Sequence, residues 1–173
     1  MSEQFDEIFD VLVIGSGCGG LTAALTADIS NPAKVLVIEK SHLIGGTSAT
    51  SGGVIWIPDN HLGKEKGAQD SISEAKDYLK ATIPADEFNE PLIDAYLDQG
   101  PKMVKFMQDH TDARYTSLEH YPDYFQDAPG VKLGNRALEP LPVSADVLGD
   151  DVDNLHPSGP QTIVFGRYGM NFE

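Results

Sequence analysis

Three glycines and one carboxylate carry the clearest chemistry in this chain. Gly15, Gly17 and Gly20 lie in the run Gly15-Ser16-Gly17-Cys18-Gly19-Gly20, directly after Val11-Leu12-Val13-Ile14. The small-residue stretch Leu21-Thr22-Ala23-Ala24-Leu25-Thr26-Ala27 comes next, and a second apolar run, Val35-Leu36-Val37-Ile38, ends in Glu39. Strand, glycine turn, helix, strand and acid is the order that a dinucleotide site requires. Gly15 permits the tight turn, Gly17 keeps a Cβ out of the path of a pyrophosphate, and Gly20 lets the helix lie close to the strands. Amides at the helix start, with a partial charge of roughly half a unit, receive the phosphates. Glu39 is expected to accept hydrogen bonds from both adenosine ribose hydroxyls. Its charge would repel a 2′-phosphate, which favours FAD or NAD over NADP. Glycines punctuate many ordinary turns, so the flanking strands and the acid are what make the motif specific.

A second glycine-rich stretch lies downstream, Gly45-Gly46-Thr47-Ser48-Ala49-Thr50-Ser51-Gly52-Gly53. Its glycine pairs and hydroxyls offer exposed amides and donors without bulk, which suits a second wall of a cofactor channel. The same residues without the first motif read equally well as a flexible loop. The cofactor-binding candidates are therefore Gly15, Ser16, Gly17, Gly19, Gly20, Glu39, Lys40, Gly46, Thr47, Ser48, Ser51, Gly52 and Gly53.

The elements around these residues are uneven. Val54-Ile55-Trp56-Ile57-Pro58 reads as a short apolar segment beside the channel. Ser71-Ile72-Ser73-Glu74 is a capping box, and Ile72, Ala75 and Leu79 share one face of the helix it starts. A second helix is expected from Pro91 to Gln99, burying Leu92, Ile93, Tyr96 and Leu97, with Gly100-Pro101 as its end. A third is expected from Pro101, a residue suited to a first helical turn, to about His110, with Met103, Val104, Phe106 and Met107 in the core. Arg114 to Leu118 reads as a short strand, and from Glu119 onward prolines and glycines dominate. Only two strands of a doubly wound sheet are evident, whereas such a sheet needs several.

Composition narrows the function classes. The 173 residues allow one domain with a core. Twelve basic against 27 acidic residues give a formal net charge of −15, which excludes nonspecific attraction to nucleic acid. A pyrophosphate must then be held by local amides against the overall field. The cluster Asp150, Asp151 and Asp153 reads as a solubility feature. Cys18 is the single cysteine, so no intrachain disulfide is possible. It is expected to be a small space-filler in the glycine turn. The five histidines lack metal-ligand spacing, and no metal site is assigned. No apolar run reaches membrane-spanning length, and Met1 to Glu7 lacks the basic and apolar regions of a signal peptide, so a cytoplasmic location is expected.

Val11 to Gly20, Val35 to Lys40 and Gly45 to Pro58 together resemble the FAD-dependent fumarate reductase and succinate dehydrogenase flavoprotein superfamily. Gly45 to Pro58 is most similar to its 3-ketosteroid Δ1-dehydrogenase branch. Tyr121-Pro122-Asp123-Tyr124-Phe125 resembles that branch's aromatic-Pro-Asp-Tyr-aromatic motif, and Asn135-Arg136-Ala137-Leu138-Glu139-Pro140 resembles the segment downstream of that motif. The resemblance implies 1,2-desaturation beside a ring ketone. A tyrosinate removes a proton next to the carbonyl, hydrogen bonds to the ketone oxygen promote enolisation, and a hydride passes to flavin N5. Tyr124 matches the active-site tyrosine that supports the base through a phenol hydrogen bond. Local sequence alone would make it an aromatic packed under a proline loop. Tyr115, Tyr121 and Phe125 are left to packing or the substrate channel. The base tyrosine, and the Tyr and Gly that hold the ketone, belong to later sequence in that branch.

The resemblance also bears on how FAD is held. Where the succinate dehydrogenase flavoprotein carries a histidine covalently linked to FAD, this chain has Gly46 before Thr47, and His42 lies too far upstream; non-covalent FAD is implied. The fold expected is α/β, a Rossmann-like FAD-binding βαβ unit followed by a helical insertion, the incomplete N-terminal portion of a larger flavoprotein. Residues 1–60 would hold the βαβ unit and second glycine loop, 61–112 the helical insertion, and 113–173 a loop-rich segment leading toward a substrate domain. Its partners would be a hydrophobic ketone and an electron acceptor. By itself the chain is expected to retain FAD weakly and not to turn over. Two other readings stand beside this one. A fumarate-reductase-like enzyme for a small dicarboxylate would need basic residues near the flavin, for which Arg114 and Arg136 are the mid-chain arginines. A non-catalytic binding module would keep the fold without flavin, like the GDP-dissociation inhibitors of small GTPases.

Overall fold

β1 (Val11–Ile14) and β2 (Val35–Ile38) pair in parallel, Val11 opposite Val35 through Ile14 opposite Ile38. The crossover between them is α1 (Cys18–Ser30). This is the arrangement in a computed structural model that describes residues 7–158 and the backbone of 163–164 and 168–169; residues 1–6 of the acidic N-terminus lie outside it. Two valines, leucine and isoleucine in each strand suit a pleated, packed surface, and α1 covers it with Ala24 buried. Parallel sheets normally bury both faces. Here Leu12 and Ile14 are 57% and 80% exposed.

The described chain divides into two compact units, one through Gly52 that resumes at Val143, the other Gly53–Pro142. In the first, a short helix α2 (Gly46–Thr50) lies within the second glycine-rich stretch, so these five residues form a helical turn. The returning segment forms 3-10 turns over Ala145–Asn154, kinked at Gly149, and then docks beside Ile44. The Ile44 amide donates to the Asn154 carbonyl at 2.8 Å, and the His156 amide to the Ile44 carbonyl at 2.9 Å.

The second unit contains β3 (Ile55–Trp56), α3 (His61–Glu65), α4 (Ile72–Thr82), α5 (Glu90–His110), β4 (Tyr115–Ser117) and β5 (Ala137–Pro140). The strands form an antiparallel sheet in the order β3-β5-β4. Segments 61–112 and 113–142 therefore belong to one compact unit. Ile57, Val104 and Leu138 form its core, with Ile55, Leu62, Met103 and Tyr115 packed against them.

Sequence signals for helix starts hold well here. Ser71 caps α4, its Oγ accepting from the Glu74 amide at 3.3 Å and donating to Glu74 Oε2 at 2.9 Å. Ala75 and Tyr78 are the buried residues of that helix, while Leu79 is half-buried. Asn89 caps α5 through the Leu92 amide at 3.1 Å.

One expectation fails. Residues 90–110 form a single helix that runs through Gly100-Pro101, not two helices broken there. A proline in a helix interior costs about 3 kcal/mol, because an amide is lost and the ring crowds the preceding turn. Leu97, Gly100, Val104 and Met107 nevertheless form one continuous buried stripe, and burying such side chains stabilises by ~1.5–3 kcal/mol each. Gly100 also sits against β3's end: a Cβ there would lie 3.3 Å from Ile57 Cδ1. Burial thus outweighs the break. Leu92 and Tyr96, expected inside, are 66% and 40% exposed.

Between these elements lies a buried cation. Arg136 is 1% exposed, and its guanidinium meets Asp70 through two bonds, Nε to Oδ2 at 3.0 Å and Nη2 to Oδ1 at 2.7 Å. Its Nη1 donates to Asp123 Oδ2 at 2.8 Å. The rings of Trp56 and Tyr78 lie 5.4 Å and 5.8 Å from its central carbon. Burial alone would raise the Asp70 carboxyl. Hydrogen bonds from Arg136 and the Asp59 amide, with the Arg136 charge and the Ser71 amide, more than reverse that and hold it below the usual carboxylate range.

Removing one partner of a buried ion group leaves the others uncompensated, at a cost of about 3–5 kcal/mol. Arg136→Met should lower the stability of the chain by that order, seen as an earlier urea midpoint. Neutralising Asp70 and Asp123 to Asn in the same chain should recover part of the loss, and an unchanged midpoint for Arg136→Met would contradict the clamp.

Candidate functional site

The glycine turn after β1 is built as its residues demand. Gly15 has φ +99°, a conformation open to glycine, and its amide donates to the Ile38 carbonyl at 2.7 Å. Gly17 is the N-cap of α1. A Cβ on Gly20 would stand 2.0 Å from the Gly15 carbonyl oxygen, so the third glycine is required for the turn to close. A Cβ on Gly19 would meet nothing within 4 Å. Cys18 is exposed, not a packed filler as expected. Its amide, one of those the helix cannot pair internally, donates to Ser48 Oγ at 3.0 Å.

Ser16 ties the three candidate segments together. It is 3% exposed, and both its amide and its hydroxyl donate to Glu39 Oε2, at 2.9 Å and 2.7 Å. The same hydroxyl accepts from the Gly45 amide at 2.9 Å. Glu39 Oε1 accepts from the Ser41 amide at 3.1 Å. The two Ser16 bonds, with smaller help from the Ser41 and Lys40 amides, bring the Glu39 carboxyl down from 4.5 to about 2. Glu39 is therefore ionised at neutral pH, the state that accepts hydroxyl donors, and Oε1 has lone-pair capacity left for one.

The other candidates divide. Gly46 lies against Gly17, where a Cβ would be 3.8 Å from the Gly17 Cα, and Ser48 reaches Cys18. Thr47 and Gly52 are exposed, and the Ser51 hydroxyl donates back to the Ser48 carbonyl at 3.1 Å. The Lys40 side chain is exposed. Gly53 opens the second unit with φ +76°, and a Cβ there would stand 2.8 Å from Pro140 Cγ, so local packing explains it. Gly45 was missed as a site residue although it heads the glycine pair. Its φ of +99° and its bond to Ser16 make it the hinge on which α2 meets the first turn. The residues present fit a dinucleotide: first-turn amides of α1, open space beside Gly19, and an ionised acid at the end of β2.

In the second unit, Tyr124 is 80% exposed on a loop whose anchor is its neighbour. Asp123 is buried and accepts from Trp56 Nε1 at 2.7 Å, from Arg136, and from the Lys132 amide at 2.9 Å. Its own amide donates to the Lys132 carbonyl at 2.9 Å. The Phe125 amide donates to the Tyr78 hydroxyl at 3.1 Å. Tyr124 is thus an outward phenol on a fixed backbone, and not an aromatic packed under the loop. The Tyr121 and Tyr124 hydroxyls are 3.2 Å apart. Sequence reasoning leaves Tyr121 to packing or the substrate channel and does not foresee the contacts of Asp123 or Tyr78, which only their meeting across the fold shows.

Comparison with known proteins adds to this geometry. The FAD binding domain family matches residues 10–156. The chain belongs to that family. FAD is accordingly the cofactor of this domain, and the NAD alternative that Glu39 left open falls away. The FAD-binding domain is 42% identical over 164 residues to 3-oxosteroid 1-dehydrogenase of Mycobacterium tuberculosis, covering 94% of this chain and 28% of that protein. It is 39% identical over 161 residues to 4-oxocyclohexanecarboxylate 2-dehydrogenase of Sinomonas cyclohexanicum, covering 92% of this chain and 28% of that one. The crystal structure of 3-ketosteroid Δ1-dehydrogenase from Sterolibacterium denitrificans, in complex with 1,4-androstadiene-3,17-dione, matches with a TM-score of 0.85 at 40% identity. It covers 94% of this chain and 28% of that one. The chain thus spans 28% of the length of these relatives. Among the described residues no helix is long and apolar enough to cross a membrane.

Two outcomes test the site. Gly20→Ala should lower the melting temperature, because its methyl meets backbone, whereas Gly19→Ala should leave it unchanged or raise stability by about 0.5–1 kcal/mol. Ser16→Ala should lift the Glu39 carboxyl from about 2 back toward 4.5, read by carbon NMR across an acid titration. A depressed carboxyl stabilises the fold above its unfolded value and loses that contribution as pH falls through the folded one. The acid sensitivity added by Glu39 therefore lies between about 4.5 and about 2, and the variant should lack it.

Proposed function

We propose that the protein is an FAD-dependent oxidoreductase that desaturates a cyclic ketone beside its carbonyl, with a 3-ketosteroid as the preferred substrate class. The carrying observation is Tyr124, an exposed phenol on a loop anchored through buried Asp123, in the motif shared with the steroid dehydrogenases. Forty-two percent identity to such an enzyme supports the same reading. The oxocyclohexanecarboxylate relative keeps smaller ring ketones within the substrate class.

In this reading the amides after Gly17 hold the pyrophosphate, Glu39 receives the ribose, and α2 forms the second wall. Gly46 before Thr47 supports non-covalent attachment. FAD, when bound, supplies the hydride acceptor, and an external electron acceptor restores it. Tyr124 donates its hydroxyl proton to the base that deprotonates the carbon next to the ketone, lowering the cost of keeping that base as a phenolate. The single cysteine supports a cytoplasmic setting. The 173-residue chain by itself is read as a weak FAD binder without turnover.

The dicarboxylate reading is weakened at both mid-chain arginines. Arg136 is buried and matched by two carboxylates, and Arg114 turns Nη1 onto the Thr111 and Ala113 carbonyls at 2.6 Å and 2.9 Å. The FAD-loaded protein from the whole reading frame should lose its visible flavin absorbance when mixed with 4-androstene-3,17-dione without oxygen. Absence of bleaching with steroid and with 4-oxocyclohexanecarboxylate alike would refute the proposal, and fumarate-driven reoxidation of reduced flavin would favour the dicarboxylate enzyme.

A further inference from the structure

Tyr121 and Tyr124 stand three residues apart, yet their positions are set by what lies between them. Pro122 has a fixed φ, and Asp123 is closed at both its amide and its carboxylate by Lys132, Trp56 and Arg136. Neither end of this short segment can swing without breaking a buried bond. The two rings are 6.3 Å apart between centroids and tilted by 54°, and the hydroxyl oxygens lie 3.2 Å apart. The backbone between the two rings is therefore anchored at Asp123.

A phenol has one proton to give and lone pairs to receive. If Tyr124 gave its proton to Tyr121, it would have none for another acceptor. If it receives, its own O–H is free to point elsewhere. Tyr121 is half-buried while Tyr124 faces outward. We propose that Tyr121 is a positioning residue, whose hydroxyl donates to the Tyr124 oxygen and so directs the Tyr124 O–H away from the loop, toward the catalytic acceptor. This rests on the function proposed above for its destination, though not for the pair itself. The Tyr121 hydroxyl also holds its proton more firmly than an ordinary phenol, first because of the Tyr124 bond and then because of burial, as a donor in this pair should.

Two measurements separate the parts. In the 173-residue chain carrying carbon-13 at the tyrosine Cζ, Tyr121 can be titrated from about pH 8 to about pH 12. Tyr124→Phe keeps the ring and removes the oxygen, and the Tyr121 midpoint should fall toward the usual phenol value. An unmoved midpoint would overturn the pairing. In the FAD-loaded protein from the whole reading frame, Tyr121→Phe should lower kcat about fivefold to tenfold, the effect of one lost hydrogen bond, with KM for the steroid within about twofold. The pH profile of kcat should shift as well, which a purely structural contact would not cause. If Tyr124→Phe is strongly impaired and Tyr121→Phe behaves as wild type, the positioning role is refuted while the functional reading stands. If the wild-type protein turns over no cyclic ketone, the functional reading and Tyr121's catalytic destination fall together, and the titration decides the pair by itself.

Discussion

A guanidinium taken out of water remains charged, so everything near it must be arranged to match it. Arg136 imposes that condition on the second unit. Asp70 stands just before the cap of α4, Trp56 ends β3, Tyr78 lies on the buried face of α4, and Asp123 sits in the loop that presents Tyr124. One side chain just before β5 thus joins a helix, a strand and a loop that are far apart in the chain. Such a cluster adds little net stability over apolar packing, because two carboxylates and a cation have all lost water. Its consequence is geometric. Charges this buried tolerate few alternative arrangements, and the backbone beside Tyr124 inherits their rigidity.

The first unit meets a similar demand with a much smaller group. Ser16 has one hydroxyl and one amide, and both bind Glu39, while the hydroxyl also takes the Gly45 amide. The carboxylate after β2 thereby closes the turn after β1 and orients the second glycine stretch. The consequence is electrostatic as well as structural. A chain with net charge −15 repels a pyrophosphate overall, yet here the acid closest to the turn is tied down by three bonds. In the proposed reading, phosphate falls to the local dipoles of the α1 start and the ribose to Glu39 Oε1.

The two units differ in how much they bury. The second has a contiguous apolar core, with Leu97, Val104 and Leu138 fully enclosed. In the first, Leu12, Ile14, Leu21, Leu25 and Ile38 each remain at least 41% exposed. A parallel pair with one covering helix cannot bury both of its faces. The chain's span of 28% of its relatives is consistent with that shortage.

Much of the cofactor site is legible in the residues themselves. Alternating strand and helix signals, a glycine where a Cβ would strike backbone, and an acid at the end of the second strand are local properties, since neighbours in sequence decide them. The capping box at Ser71 is local for the same reason. Other features are not local. Pro101 ought to end a helix by its own chemistry, and it does not, because the stripe from Leu97 to Met107 is buried on both sides of it. Ser16 is a cofactor-binding candidate by its place in the turn, but its bonding to Glu39, 23 residues away, shows only in the fold. Tyr121 and Asp123 carried no signal apart from the motif around Tyr124. Their roles come from Trp56 and Arg136, brought together by the β3-β5 pairing. Sequence by itself therefore determined the glycine turn and narrowed its cofactor to FAD or NAD, because backbone sterics over a few residues set the turn and one carboxylate disfavours a 2′-phosphate. Only the tertiary structure decided which polar groups are left over for chemistry, because hydrogen bonds between distant segments determine which donors and acceptors are already spent.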